Sequence, residues 1–168
     1  SKALAFGLGG LSKSVGLPQV KVAWIGVSGP DAAVDDALNG LEIVGKTLAD
    51  VKISVSGAGA AAIACLDLML ELGVRRENVF VCDSKGVLHD RRSDTLDASK
   101  QRYVQATKAR TLDDVTRDAD VFLGCSAAGV LTPAMVKTMA RQPIILALAN
   151  PEPEIRPELA LEARPDCL

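Results

Sequence analysis

The stretch Val51-Lys-Ile-Ser-Val-Ser-Gly-Ala-Gly-Ala-Ala-Ala62 decides the fold. Its first half alternates β-branched with polar residues, the period of a strand, and runs straight into two glycines spaced as in G-x-G-x-x-A. Ile63, Leu66, Met69 and Leu70 then recur at helical spacing, and Gly73 beyond Leu72 supplies a C-terminal stop. Strand, glycine turn and helix in that order form the context that turns a weak motif into a specific one. Gly57 permits the tight turn, Gly59 lets the backbone approach a pyrophosphate, and Ala62 lets the helix pack closely on the sheet. The backbone of Gly57, Ala58, Gly59, Ala60 and Ala61, at the positive end of the helix dipole, would hold the diphosphate. The plainer reading is a glycine turn before a tightly packed, alanine-rich helix that binds nothing.

Downstream, Asn78 to Asp83 reads as a second strand that ends on an acid, 26 residues after Gly57. That is close to the spacing of the carboxylate that bonds an adenosine ribose, and Ser84 follows it. The polar run Ser84 to Ser99 has no clear period and reads as a loop. Thr111-Leu-Asp-Asp114 has capping-box spacing and opens a short helix to about Asp118. Asp120 to Gly124 is a third strand, Thr132-Pro133 starts a helix through Arg141, and Pro143 to Leu148 is a fourth strand. Near-continuous apolar strands alternating with helices predict an α/β fold, a doubly wound parallel sheet of Rossmann type covered on both faces.

Two further loops leave strand ends where open α/β sheets bind ligands. Gly124 to Gly129 offers small residues and Ser126 for close approach of a ribose or nicotinamide, and Ala149 to Glu154 places the amide of Asn150. Lys85, Arg91, Arg92, Lys100 and Arg102 are the candidate counter-charges for a 2′-phosphate, with Lys100 first and Arg91 second, so NAD against NADP stays open. His89 is assigned no role, and Tyr103 reads as a packing residue. No Ser/His/Asp triad can be assembled.

Composition bounds the rest. The 168 residues are 48% hydrophobic and 24% charged, enough for one folded domain of ordinary size. Nineteen basic against twenty-one acidic residues leave a net charge of −2, with no basic stripe interleaved with aromatics, which argues against a nucleic-acid partner. No run of about 18 apolar residues suggests a membrane span. The small, apolar Ser1 to Gly16 has no clean cleavage site, so a signal peptide is not expected. In the opening third, Val20 to Gly26 reads as a strand and Asp31 to Val44 as a helix. Cys65, Cys82, Cys125 and Cys167 lie 17, 43 and 42 residues apart with a single histidine in the chain, which argues against a zinc site and for reduced thiols in a cytoplasmic protein. Cys65 and Cys82 read as core.

Leu38-Asn-Gly-Leu-Glu-Ile-Val-Gly-Lys46, Val55 to Ala64, Asp83-Ser-Lys-Gly86, Ala119 to Gly124 and Leu148-Ala-Asn-Pro-Glu-Pro-Glu154 together resemble the cofactor domain of bacterial malic enzymes. The resemblance covers about Asp36 to Leu168 and leaves residues 1–35 unassigned. It implies oxidative decarboxylation of L-malate to pyruvate and CO₂, with reduction of NAD or NADP and a Mg²⁺ or Mn²⁺ ion polarising the 2-oxo intermediate. It also implies a homo-oligomer in the complete enzyme.

The departures are as informative as the match. The family carries its catalytic Tyr and Lys in an N-terminal domain and a metal-binding Glu-Asp pair before the Leu-Asn-Gly region, and none of these is recognisable here. Asp35-Asp36 stands too close to Leu38 for that segment to be intact, so the metal ligands are unknown. After Asp166 the family continues into further strands, which implies a dinucleotide domain incomplete at its C-terminus. The chain alone is expected to bind cofactor without turning malate over. The rival readings are the cofactor domain of an amino-acid or methylenetetrahydrofolate dehydrogenase and a non-catalytic dinucleotide-binding module.

Overall fold

A computed structural model describes residues 46–168 and the two strands 5–10 and 23–28. The chain divides into two compact units, Ser1–Leu48 and Ala49–Leu168. In the first, β1 (Ala5–Gly10) pairs antiparallel with β2 (Ala23–Ser28), Gly7 opposite Gly26. The strand expected from Val20 to Gly26 is thus observed slightly later, and β1 lies in the segment to which no role was given. The helix expected over Asp31 to Val44 lies outside the described residues.

The second unit is built on a five-stranded sheet. Its elements are β3 (Ile53–Ser56), α1 (Ala60–Glu71), a 3-10 turn (Arg76–Asn78), β4 (Val79–Asp83), β5 (Gly86–Val87), α2 (Ala98–Gln101), α3 (Leu112–Thr116), β6 (Val121–Gly124), α4 (Pro133–Thr138), β7 (Ile144–Ala147) and α5 (Pro157–Ala163). The strand order is β5-β4-β3-β6-β7, parallel throughout except for the β4–β5 edge. The chain leaves β3 to build β4 on one side and later returns to build β6 on the other. The C-terminal ends of β3 and β6 therefore flank the reversal of strand order where such sheets bind ligands.

Every residue of β3 and β6 is buried; β6 reads accordingly as a near-continuous apolar run, whereas β3 carries Ser54 and Ser56 into the interior. Val51, Ile53, Val55, Val79, Val81, Phe122 and Leu66 are all at most 4% exposed. Each such side chain contributes about 1.5–3 kcal/mol by leaving water. At the far edge, Ile145 N–H donates to Leu168 O at 2.8 Å and Leu168 N–H to Pro143 O at 2.9 Å, so the last residue lies alongside β7.

The capping box is present as the sequence predicts: Thr111 Oγ1 accepts from Asp114 N–H, and Asp114 accepts from Thr111 N–H. Helix ends differ from the expectation for tertiary reasons. The Ala140 N–H donates to Ala119 O at 2.9 Å rather than to Val136, so α4 stops at Thr138 instead of reaching Arg141. Likewise α3 stops at Thr116, where Asp118 turns to φ +56° and its N–H donates to Thr138 O.

The run Ser84 to Ser99 is not wholly loop. Gly86, at φ +102°, folds the chain back so that Val87 pairs with Cys82, and Asp97 caps α2 by accepting from the N–H groups of Ser99 and Lys100. Two paired residues are too few to leave a period in the sequence. Tyr103 is fully buried, its hydroxyl donating to Asp67 Oδ1 at 2.6 Å, as a packing residue should be. Cys82 lies in the core. Cys65 does not: it is half-buried on the flank of α1.

Candidate dinucleotide site

Gly57 follows β3 at φ +104° and donates its N–H to Cys82 O at 2.8 Å. A Cβ there would overlap the carbonyl oxygen of Cys125 outright and stand 3.3 Å from Ser126 Cβ, so close approach as well as conformation demands glycine. Gly59 differs. It is the N-cap of α1 at φ −84°, makes no side-chain cap, and a Cβ on it would meet nothing within 4 Å. Neither strain nor internal packing asks for glycine at 59; what its absent side chain leaves open is the approach to the start of the helix. Ala60 and Ala61 are exposed, no acid occupies the first turn, and Ala62 and Ala58 are buried beneath. The first N–H groups of α1 thus face solvent at the positive end of its dipole, a setting suited to a diphosphate.

Asp83 ends β4. Its Oδ1 accepts from Lys85 N–H at 2.8 Å and from Arg92 Nη1 at 3.0 Å. Arg92 forks onto Asp94 as well, through Nε at 2.8 Å and Nη2 at 2.6 Å, and Lys85 Nζ reaches Asp94 at 3.2 Å. The Asp94 carboxyl is held well below the usual carboxylate range, chiefly by the Arg92 hydrogen bonds. Asp83, Arg92, Asp94 and Lys85 form one network, in which Oδ1 of Asp83 is engaged. Ser84 is exposed beside it. Lys100 pairs with Asp97 of its own capping turn at 3.7 Å. The guanidinium on Asp83 is that of Arg92, not of Arg91.

The loops after β6 and β7 are joined by a residue that sequence reasoning did not single out. Glu154 is fully buried, and its Oε1 accepts from Ser126 N–H at 2.8 Å while Oε2 accepts from Ala149 N–H at 3.0 Å. Ser126 Oγ pairs with Ser56 Oγ at 2.7 Å, tying the same loop to the end of β3. Ser126 and Asn150 are both exposed at this edge, and Asn150 precedes a cis proline. The one signal for Glu154 was an acid directly after Pro153, at the end of the loop.

Gly57 and Ser126 are therefore in contact, Asp83 lies at the end of the neighbouring strand, and Ser126 and Asn150 are linked through Glu154. Among the described residues no group of three His, Cys, Asp or Glu side chains could hold a metal ion, so these residues do not fit one. Among them, too, no helix is long and apolar enough to cross a membrane.

The family described as "Malic enzyme, NAD binding domain" matches residues 31–163. The NADP-dependent malic enzyme of Escherichia coli is 56% identical over 132 residues, covering 78% of this chain and 17% of that protein. The NAD-dependent malic enzyme of Rhizobium meliloti is 53% identical over 131 residues, again 78% of this chain and 17% of the relative. Among solved structures, the NAD-dependent malic enzyme of Thermotoga maritima superposes with a TM-score of 0.68 at 38% identity, over 76% of this chain and 34% of that one. A glutamate dehydrogenase from Thermus thermophilus, at 19% identity and a TM-score of 0.53 over 76% of this chain and 30% of that one, shares the fold alone. The chain spans about a sixth of the length of these two curated relatives.

Proposed function

Since the chain belongs to the malic-enzyme NAD-binding domain family, we propose that it is the NAD(P)-binding part of an enzyme that oxidatively decarboxylates L-malate to pyruvate and CO₂. The observation that carries this reading is the open approach at Gly59 to the uncapped start of α1, set beside the ends of β3 and β6. The N–H groups after Gly57 bind the diphosphate, and the free side of Asp83 accepts from an adenosine ribose hydroxyl. Ser126 and Asn150 orient the nicotinamide and the carboxylates near it, held at their spacing by Glu154. The bound dinucleotide supplies the hydride acceptor.

The remaining parts of the proposal come from the resemblance and the composition. Residues 36–168 make up this domain and 1–35 stand apart from it. The complete enzyme is a cytoplasmic homo-oligomer whose Mg²⁺ or Mn²⁺ ligands and catalytic acid and base lie outside the matched residues. The rival dehydrogenase classes are not favoured by relatives above 50% identity that bear the malic-enzyme name.

Calorimetry of the 168-residue chain against NAD and NADP tests the binding half of the reading, and binding of neither would overturn it. A malate oxidation assay with Mn²⁺ tests the other half. No turnover is expected from this chain, and turnover free of contaminating enzyme would show that the catalytic groups lie within it.

A further inference from the structure

Ser56, Ser126 and Glu154 bring two hydroxyls and a carboxylate together where the ends of β3 and β6 meet the loop after β7. A hydroxyl has one hydrogen to give and two lone pairs, whereas a carboxylate only accepts. Ser56 is 6% exposed, and among the described residues its Oγ has a single partner, Ser126 Oγ at 2.7 Å. A buried hydroxyl that keeps its hydrogen unpaired is costly, so Ser56 is the donor of that bond. The hydrogen of Ser126 then turns to Glu154 Oε1, 3.4 Å away, whose negative charge draws it. With one bond accepted and its hydrogen given, the Ser126 hydroxyl has one lone pair left.

We propose that Ser126 reads the carboxamide –NH₂ of the nicotinamide through that lone pair, and that Ser56 and Glu154 are positioning residues that fix the direction of its hydroxyl. The assignment rests on the dinucleotide reading above. Ser126 is exposed, and its Cβ lies 3.3 Å from the place that a side chain on Gly57 would take, so the hydroxyl borders the glycine turn. A ribose hydroxyl can turn either a hydrogen or a lone pair toward a neighbour. A hydroxyl of fixed direction therefore gains selectivity only against a group of fixed direction, and the carboxamide nitrogen is the donor of that kind at the nicotinamide end. The buried Glu154 charge behind Ser126 acts in the same sense, since it repels a carboxylate and leaves a neutral amide in place. The carboxylates near the ring fall instead to Asn150, whose amide can donate. The site thus takes a nicotinamide dinucleotide and rejects its nicotinic acid counterpart.

Calorimetry of the 168-residue chain compares NAD with two analogues. The acetylpyridine dinucleotide replaces the –NH₂ by a methyl group and stays neutral; the nicotinic acid dinucleotide replaces the whole amide by a charged acceptor. The wild-type chain should bind the acetyl analogue about three- to tenfold more weakly than NAD, the loss of one hydrogen bond. The acid analogue should be weaker again by about tenfold, through like-charge repulsion. In Ser126→Ala, NAD and the acetyl analogue should agree within about twofold. Because that variant strands the buried Ser56 hydroxyl, the double variant Ser56→Ala/Ser126→Ala is measured beside it and should show the same convergence. Glu154→Gln should bring the acid analogue toward the acetyl one, a change that loosened packing alone would not produce.

Equal binding of NAD and the acetyl analogue by the wild-type chain, or a gap that survives both serine variants, would overturn the proposal. So would an equal loss of all three ligands in Ser126→Ala, which would give Ser126 to the ribose. An unchanged deficit of the acid analogue in Glu154→Gln would remove the part given to Glu154. A chain that binds none of the three would defeat the dinucleotide reading itself, whereas binding without discrimination defeats only the assignment of Ser126.

Discussion

The Glu154 carboxylate fills the space that a side chain on Gly124 would need, and from there it accepts the N–H of Ser126 at 2.8 Å. Its other oxygen holds Ala149 N–H at 3.0 Å, so one buried acid fixes the spacing of two loops. Glu154→Gln keeps the shape but turns an amide –NH₂ toward one of those N–H groups. The loss of a charge-assisted hydrogen bond should cost about 1–3 kcal/mol, read as a lower urea midpoint with an unchanged slope. Gly124→Ala, which drives a methyl into the carboxylate, should cost more. An unaltered midpoint for Glu154→Gln would mean that the loops hold their spacing without it.

Gly57 and Gly59 should separate stability from binding. Gly57→Ala puts a Cβ on a residue at φ +104° and against Cys125 O, and it should destabilise the domain by at least about 1–3 kcal/mol. Gly59→Val places its Cβ where no protein atom lies within 4 Å, so its cost should be confined to that of a poor N-cap, about 1 kcal/mol or less. The valine stands in the open approach to the start of α1, so dinucleotide affinity should vanish while the melting transition persists. Equal affinity for the variant would favour the plain packing turn.

The β3–Gly57–α1 unit is legible in the sequence because all of its signals are local: a period of two, two glycines and a period of 3.6 within some twenty residues. The same holds for Thr111 and Asp114, whose reciprocal hydrogen bonds span three positions. Arg92 was one of five candidate basic residues between Lys85 and Arg102, and only its fork between Asp83 and Asp94 distinguishes it. Helical spacing placed Cys65 on the buried face with Ala62 and Leu66, but it could not say that the flank of α1 stays half open at that position. Glu154 shows the same limit. An acid directly after a proline is as compatible with solvent as with burial until the loop after β6 and the start of its own loop bring their N–H groups to it.

Acid should weaken the α3 cap. Asp114 Oδ2 accepts from the N–H groups of Arg110 and Thr111, each at 2.9 Å, and these bonds hold its pKa below the ordinary carboxylate value of 3.8. A depressed folded-state pKa stabilises the fold above that value, and the contribution is lost as pH falls through the folded-state pKa. The stability of the wild-type chain should therefore decline below about pH 4, the ordinary carboxylate range, and Asp114→Asn should decline less steeply. Parallel slopes from denaturant titrations would assign the acid sensitivity to other carboxylates.

The last prediction concerns the choice between NAD and NADP. With the ribose on Asp83, the cations beside it are Arg92 and Lys85. Arg92 is 6% exposed and already forked between two carboxylates, so its charge serves to offset Asp83 and Asp94. The Lys85 side chain is 66% exposed and its ammonium pairs with Asp94 at 3.2 Å, so it can swing toward a 2′-phosphate at small cost. Lys100, first among the candidates read from the sequence, is engaged with Asp97. A charge-assisted contact to phosphate is worth about 1.5–3 kcal/mol, or roughly ten- to a hundredfold in affinity. Lys85→Ala should therefore weaken NADP by about tenfold and leave NAD nearly unchanged, while Lys100→Ala changes both by less than about threefold. Calorimetry with both dinucleotides on both variants reads this directly. The reverse order would return the phosphate to Lys100 and move the ribose from Asp83 toward α2; equal losses of NAD and NADP in Lys85→Ala would assign that lysine to the network that holds the loop.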